Sequence, residues 1–193
     1  METGNWNVNV VMGRMPQKVA TAMAKLEESI TGAEYEPIAY IGSQVVNGTN
    51  HAILAKQIIV TGRDTSNVVL MIFNEKPSDT EATLIGIERI IESGLPAGGV
   101  QIDIHTEIPE DAIEIWKDAF MGYVGLAIEP FALLGTQIVN GINYLFAAEA
   151  TPVGLEAGKR AYLVVVNSNE RRVNLINLLT DKHQAGLSYA FTW

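Results

Sequence analysis

Three histidines, His51, His105 and His183, are the residues of this 193-residue chain best suited to proton transfer or metal binding, and there is no cysteine. The absence of thiols rules out a disulfide framework, a thiolate nucleophile and a cysteine-based zinc site. No His-x₃-His or carboxylate spacing links the histidines, so a metal centre is not expected. The nucleophile elbow Gly-x-Ser-x-Gly is missing. Gly158-Lys159-Arg160 lacks both the preceding glycine and the following Ser or Thr of a phosphate loop. Glu107, Glu110, Asp111 and Glu114 crowd one helix start, where carboxylates complement the positive end of the helix dipole. The reading is a protein that is not an enzyme and carries no cofactor and no metal.

A different pattern occurs twice. Gln44-Val45-Val46-Asn47-Gly48 and Gln137-Ile138-Val139-Asn140-Gly141 each place Asn-Gly between β-rich runs. That pair is the strongest short-range signal for a hairpin, because both residues accept the positive φ of a type I′ turn. Asn47-Gly48-Thr49 also fits a glycosylation acceptor, which is set aside because no secretion signal is read at the start of the chain.

These two stretches are parts of a longer repetition. Shifting the chain by 93 positions superposes Pro16 on Pro109, Gly32 on Gly125, Glu36-Pro37 on Glu129-Pro130 and Gly42 on Gly135. It also superposes Asn50 on Asn143, Ala55 on Ala148, Leu70 on Leu163 and Asn74 on Asn167. One ungapped offset from residue 16 to residue 167 identifies a tandem duplication, with repeat one over 1–95 and repeat two over 98–193. The period is too long for a stacking solenoid unit, so each copy is a small domain. The turn-rich stretch 93–99 reads as the linker.

Composition bounds the partners. A hydrophobic content of 48% excludes a disordered chain. The net charge is −9; 7 basic and 11 acidic residues through Pro96 leave −4, and 6 and 11 from Ala97 onward leave −5. Neither copy has the positive face that nucleic acid or an anionic membrane requires. No apolar run approaches the roughly 18 residues of a membrane span, and a cytoplasmic location is the simplest expectation.

Within a copy, an extended run (Trp6 to Met12; Val100 to His105) precedes Pro16 or Pro109, a residue suited to a first helical position. Val19, Met23, Leu26 and Ile30 then recur at helical spacing, as do Ala112, Trp116, Ala119, Phe120 and Tyr123. Gly32 and Gly125 read as terminators. Strands follow at 38–46 and 49–60, at Val68–Phe73 and Ala161–Val166, and in a last run. In copy one, Ser78-Asp79-Thr80-Glu81 could open a helix as a capping box, whereas its counterpart Arg172–Leu179 alternates as a strand. The strand reading is followed. Val68–Phe73 is apolar on both faces, so the helix is expected on one face and the sister copy or a second chain on the other. The fold class is α+β: two tandem domains, each one helix on a four- to five-stranded antiparallel sheet.

With the strand–helix–four-strand order in place, the chain resembles the cystatin superfamily over essentially its whole length, once per copy. The Gln-x-Val-x-Gly form of Gln44-Val45-Val46-Asn47-Gly48, followed by Thr49-Asn50, and its counterpart ending in Ile142-Asn143 carry the resemblance. It implies a hairpin wedge that plugs the active-site cleft of a papain-like cysteine protease without reacting. Its contacts would come from Gln44, Val45, Val46, Asn47 and Gly48, and from Gln137, Ile138, Val139, Asn140 and Gly141. The chain departs from the family at the second hairpin. Asn74-Glu75-Lys76-Pro77 and Asn167-Ser168-Asn169-Glu170 lack the Pro-Trp pair often found there. The alternative that stays open is a non-inhibitory interaction or assembly module of the same fold.

Overall fold

The computed structural model describes residues 4–13, 15–60, 65–76, 82–93, 99–154 and 158–179, apart from the Leu26 side chain. The capping-box reading at 78–81, Pro77, most of the linker (94–98) and His183 lie outside the described residues.

Each copy is built in the same order. In copy one, β1 (Trp6–Met12) leads into α1 (Gln17–Ser29), followed by β2 (Ala33–Val46), β3 (Gly48–Ile59), β4 (Thr65–Glu75) and β5 (Thr83–Glu92). In copy two, β6 (Val100–His105) and α2 (Glu110–Phe120) precede β7 (Leu126–Val139), β8 (Gly141–Pro152), β9 (Arg160–Asn167) and β10 (Val173–Asn177). Each sheet has five strands in chain order, all neighbours antiparallel. The α+β class holds, with five strands per sheet. The stretch left between helix and strand is a strand over Thr83–Glu92.

The helices form where the apolar stripes are. Val19 and Met23 bury against Tyr40, Ile53, Met71 and Phe73, with Ile30 packed alongside. Ala112 and Trp116 bury against Leu133, Phe146, Val164 and Val166. The Trp116 ring meets Phe146 edge-on, with centroids 5.1 Å apart. Tyr123, placed on the same stripe, is half exposed and only touches Phe120, at 5.3 Å. The prolines sit one residue earlier than expected, as N-caps of both helices. Their carbonyls accept the first helical bonds, from the N–H of Ala20 and of Ile113. Gly32 and Gly125 take left-handed φ values of 89° at the start of β2 and β7 rather than within a helix cap.

The duplication extends to irregularities. In β2 the register slips between Pro37 and Ala39 and again between Tyr40 and Gly42; in β7 it slips between Pro130 and Ala132 and between Leu133 and Gly135. Each slip is a bulge, one extra residue that bends the strand and deepens its twist. Pairing with β1 begins only at Ala39, so at Pro37 the β1 side of the strand is an open edge, where a missing N–H breaks no bond to β1. Gly42 has a different reason to be glycine. A Cβ on it would stand 2.4 Å from the carbonyl oxygen of Asn7 and 3.0 Å from Val8 Cα, both backbone atoms of β1. Its φ is not in the left-handed region, so close approach alone demands the missing side chain. Gly42→Ala is therefore expected to cost about 1–3 kcal/mol, the usual range for forced overpacking. Faster hydrogen exchange confined to β1 and the facing part of β2 would register the loss.

Candidate functional site

The hairpins that carry the repeated Gln-x-Val-x-Gly pattern close differently from a two-residue turn. Val45 faces Thr49 and Val46 faces Gly48; Ile138 faces Ile142 and Val139 faces Gly141. Gly48 and Gly141 adopt φ of 106° and 94°, whereas Asn47 and Asn140 do not enter positive φ. A type I′ turn needs both residues there. The tip is instead a three-residue loop ended by a left-handed glycine, the next most common way to close a hairpin. In copy one a Cβ on Gly48 would lie 2.5 Å from the carbonyl oxygen of Glu75 and 2.9 Å from Asn74 Oδ1, so the tip lies against the end of β4.

This geometry divides the ten predicted contact residues into two groups. Gln44 and Gln137 are buried and bonded to Asn50 and Asn143 on the adjacent strands; they are not on the surface of the tip. Val45 is 72% exposed and Ile138 76%, with Val139 at 42%; Val46 is partly buried. Asn47 and Asn140 are exposed, and Gly48 and Gly141 are intermediate. Ile142, at 37%, joins the apolar tip of copy two. The outward-facing apolar groups are thus chiefly the variable second positions of the pattern.

The buried glutamines begin a ladder of amides that sequence reading passed over. Gln44, Asn50 and Asn74 face one another on β2, β3 and β4, and so do Gln137, Asn143 and Asn167 on β7, β8 and β9. In copy one, Gln44 Nε2 donates to the Gly4 carbonyl at 2.7 Å, Asn50 Nδ2 donates to Gln44 Oε1 at 3.0 Å, and Asn74 Nδ2 donates to Asn50 Oδ1 at 2.8 Å. In copy two, Asn143 Nδ2 donates to Gln137 Oε1 at 3.0 Å, and Asn167 Nδ2 donates to Asn143 Oδ1 at 2.8 Å. The middle amides, Asn50 and Asn143, each donate one way and accept the other, so removing either breaks two bonds of its row.

Asn167 ties the ladder to the tip. Its Nδ2 also lies 3.2 Å from the Asn140 carbonyl, and its Oδ1 accepts the N–H groups of Asn169 and Glu170. Ser168 adds two further bonds to Ile142, Ser168 Oγ accepting from its N–H and the Ser168 N–H donating to its carbonyl. The β9–β10 turn therefore holds the back of the first hairpin and offers a polar surface with no tryptophan. All three ladder positions are identical between copies, and that coincidence was the available signal.

One cluster belongs to copy one alone. His51 on β3 is buried between Tyr40 and Phe73, and its Nδ1 is 3.0 Å from the Tyr40 hydroxyl. Glu75 Oε2 lies 3.3 Å from Nε2, and Lys18 Nζ on α1 donates to Glu75 Oε1 at 3.0 Å. Burial raises the Tyr40 phenol, and a bond to Ser43 partly opposes it. His105 instead pairs at the surface with Asp103, at 3.1 Å. Among the described residues, no group of three or more His, Cys, Asp or Glu is placed to hold a metal ion. No helix among them is long and apolar enough to cross a membrane.

No known protein-family model matches the chain, and no curated protein sequence matches it significantly.

Proposed function

We propose that the protein acts by non-covalent binding through its two hairpin tips, and that the groove they enter is the active-site cleft of a papain-like cysteine protease. The observation that carries this reading is the pairing, in each copy, of an outward apolar tip with an amide ladder hydrogen-bonded from strand to strand behind it. A tip fixed in advance loses little conformational freedom on binding, so more of the contact energy appears as affinity. Burying Val45 or Ile138 in a groove supplies roughly 1.5–3 kcal/mol each. Such a tip obstructs a cleft without offering a peptide bond for attack, and the cystatin resemblance names the cleft. The ten residues from Gln44 to Gly48 and from Gln137 to Gly141 divide the work: the glutamines support the tip, and the residues after them make the contact.

A second reading, a non-inhibitory interaction or assembly module of the same fold, has its own support in the β9–β10 turn. Asn167-Ser168-Asn169-Glu170 is polar and engaged in holding the first hairpin, so copy two contributes one tip to a partner where an inhibitory wedge would contribute two. Papain turnover separates the readings. Competitive inhibition at micromolar protein is the expected result; undiminished turnover at a large excess leaves the binding-module reading and removes the inhibitor.

A further inference from the structure

We propose that copy one carries an acid-sensitive latch: below about pH 6, proton uptake by His51 loosens the closure of α1 over β3 and β4, while copy two stays closed. The latch is independent of what the tips bind.

The latch is the chain Lys18–Glu75–His51–Tyr40, which runs from the first turn of α1 across β4 and β3 to β2. Among the described residues, the titratable and charged groups facing the imidazole are Tyr40 from β2, Glu75 from β4 and, through Glu75, Lys18 from α1. The Phe73 ring lies beside it, with centroids 5.8 Å apart. A neutral imidazole suits this site, since Nδ1 has Tyr40 and the flanks are aromatic. Nε2 is buried and has no aligned hydrogen bond, despite the carboxylate 3.3 Å away. An imidazolium would place a full charge there, and its counter-charge among the described residues, Glu75, is already engaged by Lys18. Hydrating that charge requires the start of α1 to move off the end of β4.

The sign follows from burial. Burial lowers His51 below the ordinary histidine range, and the nearby Glu75 carboxylate opposes this without cancelling it. The open state therefore binds the proton more readily. Closure is fully stabilised above the ordinary value of about 6.5 and weakens as pH falls through it toward the lower folded value. Glu75 is itself held low, chiefly by Lys18, so its contribution is lost only at more acid pH, near the ordinary carboxylate range of about 4. Copy two has Asp111, Leu133, Tyr144 and Ser168 at the four corresponding positions, so the imidazole and its carboxylate neighbour are both missing there.

Amide hydrogen exchange of the intact chain at pH 7.5 and pH 5.5, corrected for intrinsic rates, tests this. The expected result is a loss of protection of up to about tenfold in Gln17–Ser29 and Gly48–Ile59, since pH 5.5 lies about one unit below the open-state value. Glu110–Phe120 and Gly141–Pro152 should keep theirs. His51→Gln should abolish the difference between the two pH values, and His51→Tyr, which brings in the residue found at Tyr144, should do the same if the glutamine variant does not fold. Unchanged protection in copy one, an equal loss in both copies, or a pH response that survives in a folded His51 variant would overturn the proposal.

Discussion

Replacing both outward tip residues, Val45→Asp together with Ile138→Asp, is expected to weaken inhibition of papain by at least about a hundredfold while leaving the fold unchanged. The fold should survive because both side chains are more than two-thirds in water and belong to neither core cluster. Binding should not survive, because each aspartate must shed its hydration to enter an apolar groove, and an unpaired buried charge costs several kcal/mol. A loss of about 2.8 kcal/mol is already a hundredfold. The two single variants distinguish the copies: whichever tip carries the interaction reproduces most of the effect alone. Circular dichroism and the inhibition constant, measured on the same preparation, decide the matter. Retained inhibition in a folded double variant would place the contact elsewhere.

The second large effect concerns stability. Asn143→Leu keeps the size of the side chain and removes the middle rung of the copy-two ladder. Gln137 Oε1 then loses its donor from β8, and Asn167 Nδ2 loses the closer of its two acceptors and keeps only the Asn140 carbonyl. A buried polar group deprived of its partner costs about 1–3 kcal/mol, so a loss of about 3 kcal/mol is expected for copy two. Urea unfolding followed through Trp116, with Trp6 and Trp193 replaced by phenylalanine, reports on that copy because Trp116 lies in its core. A loss below about 0.5 kcal/mol would mean that water replaces the rung and that the ladder does not hold the tip.

Much of the fold was legible because it rests on local signals. The constant 93-residue offset, the runs Trp6–Met12 and Val100–His105, and the stripes Val19/Met23 and Ala112/Trp116 all reappear in the structure. Periodicity records which face is apolar, and hydrophobic burial follows it. The details that shape the site were not legible. Asn-Gly predicts two residues at positive φ, yet only the glycines adopt it, because the tip closes as a three-residue loop. The asparagines of the ladder look like solvated strand residues until three strands are set in register. Only then do Gln137, Asn143 and Asn167 meet, from sequence separations of 6 and 24 residues. The bulges beside Pro37 and Pro130, and the approach of β1 to Gly42, likewise depend on neighbours far along the chain. Identity between the copies at Gly42/Gly135 and Asn74/Asn167 marked positions under constraint without saying which constraint.

Hydrogen exchange of the intact protein with and without a saturating amount of papain, its thiol blocked to prevent digestion, tests most directly whether the tips are the binding surface. New protection at residues 44–50, 137–143 or both, with α1 and α2 unchanged, is the predicted result. Protection on the helices or edge strands with the tips unaffected, or no change anywhere at saturation, would contradict it.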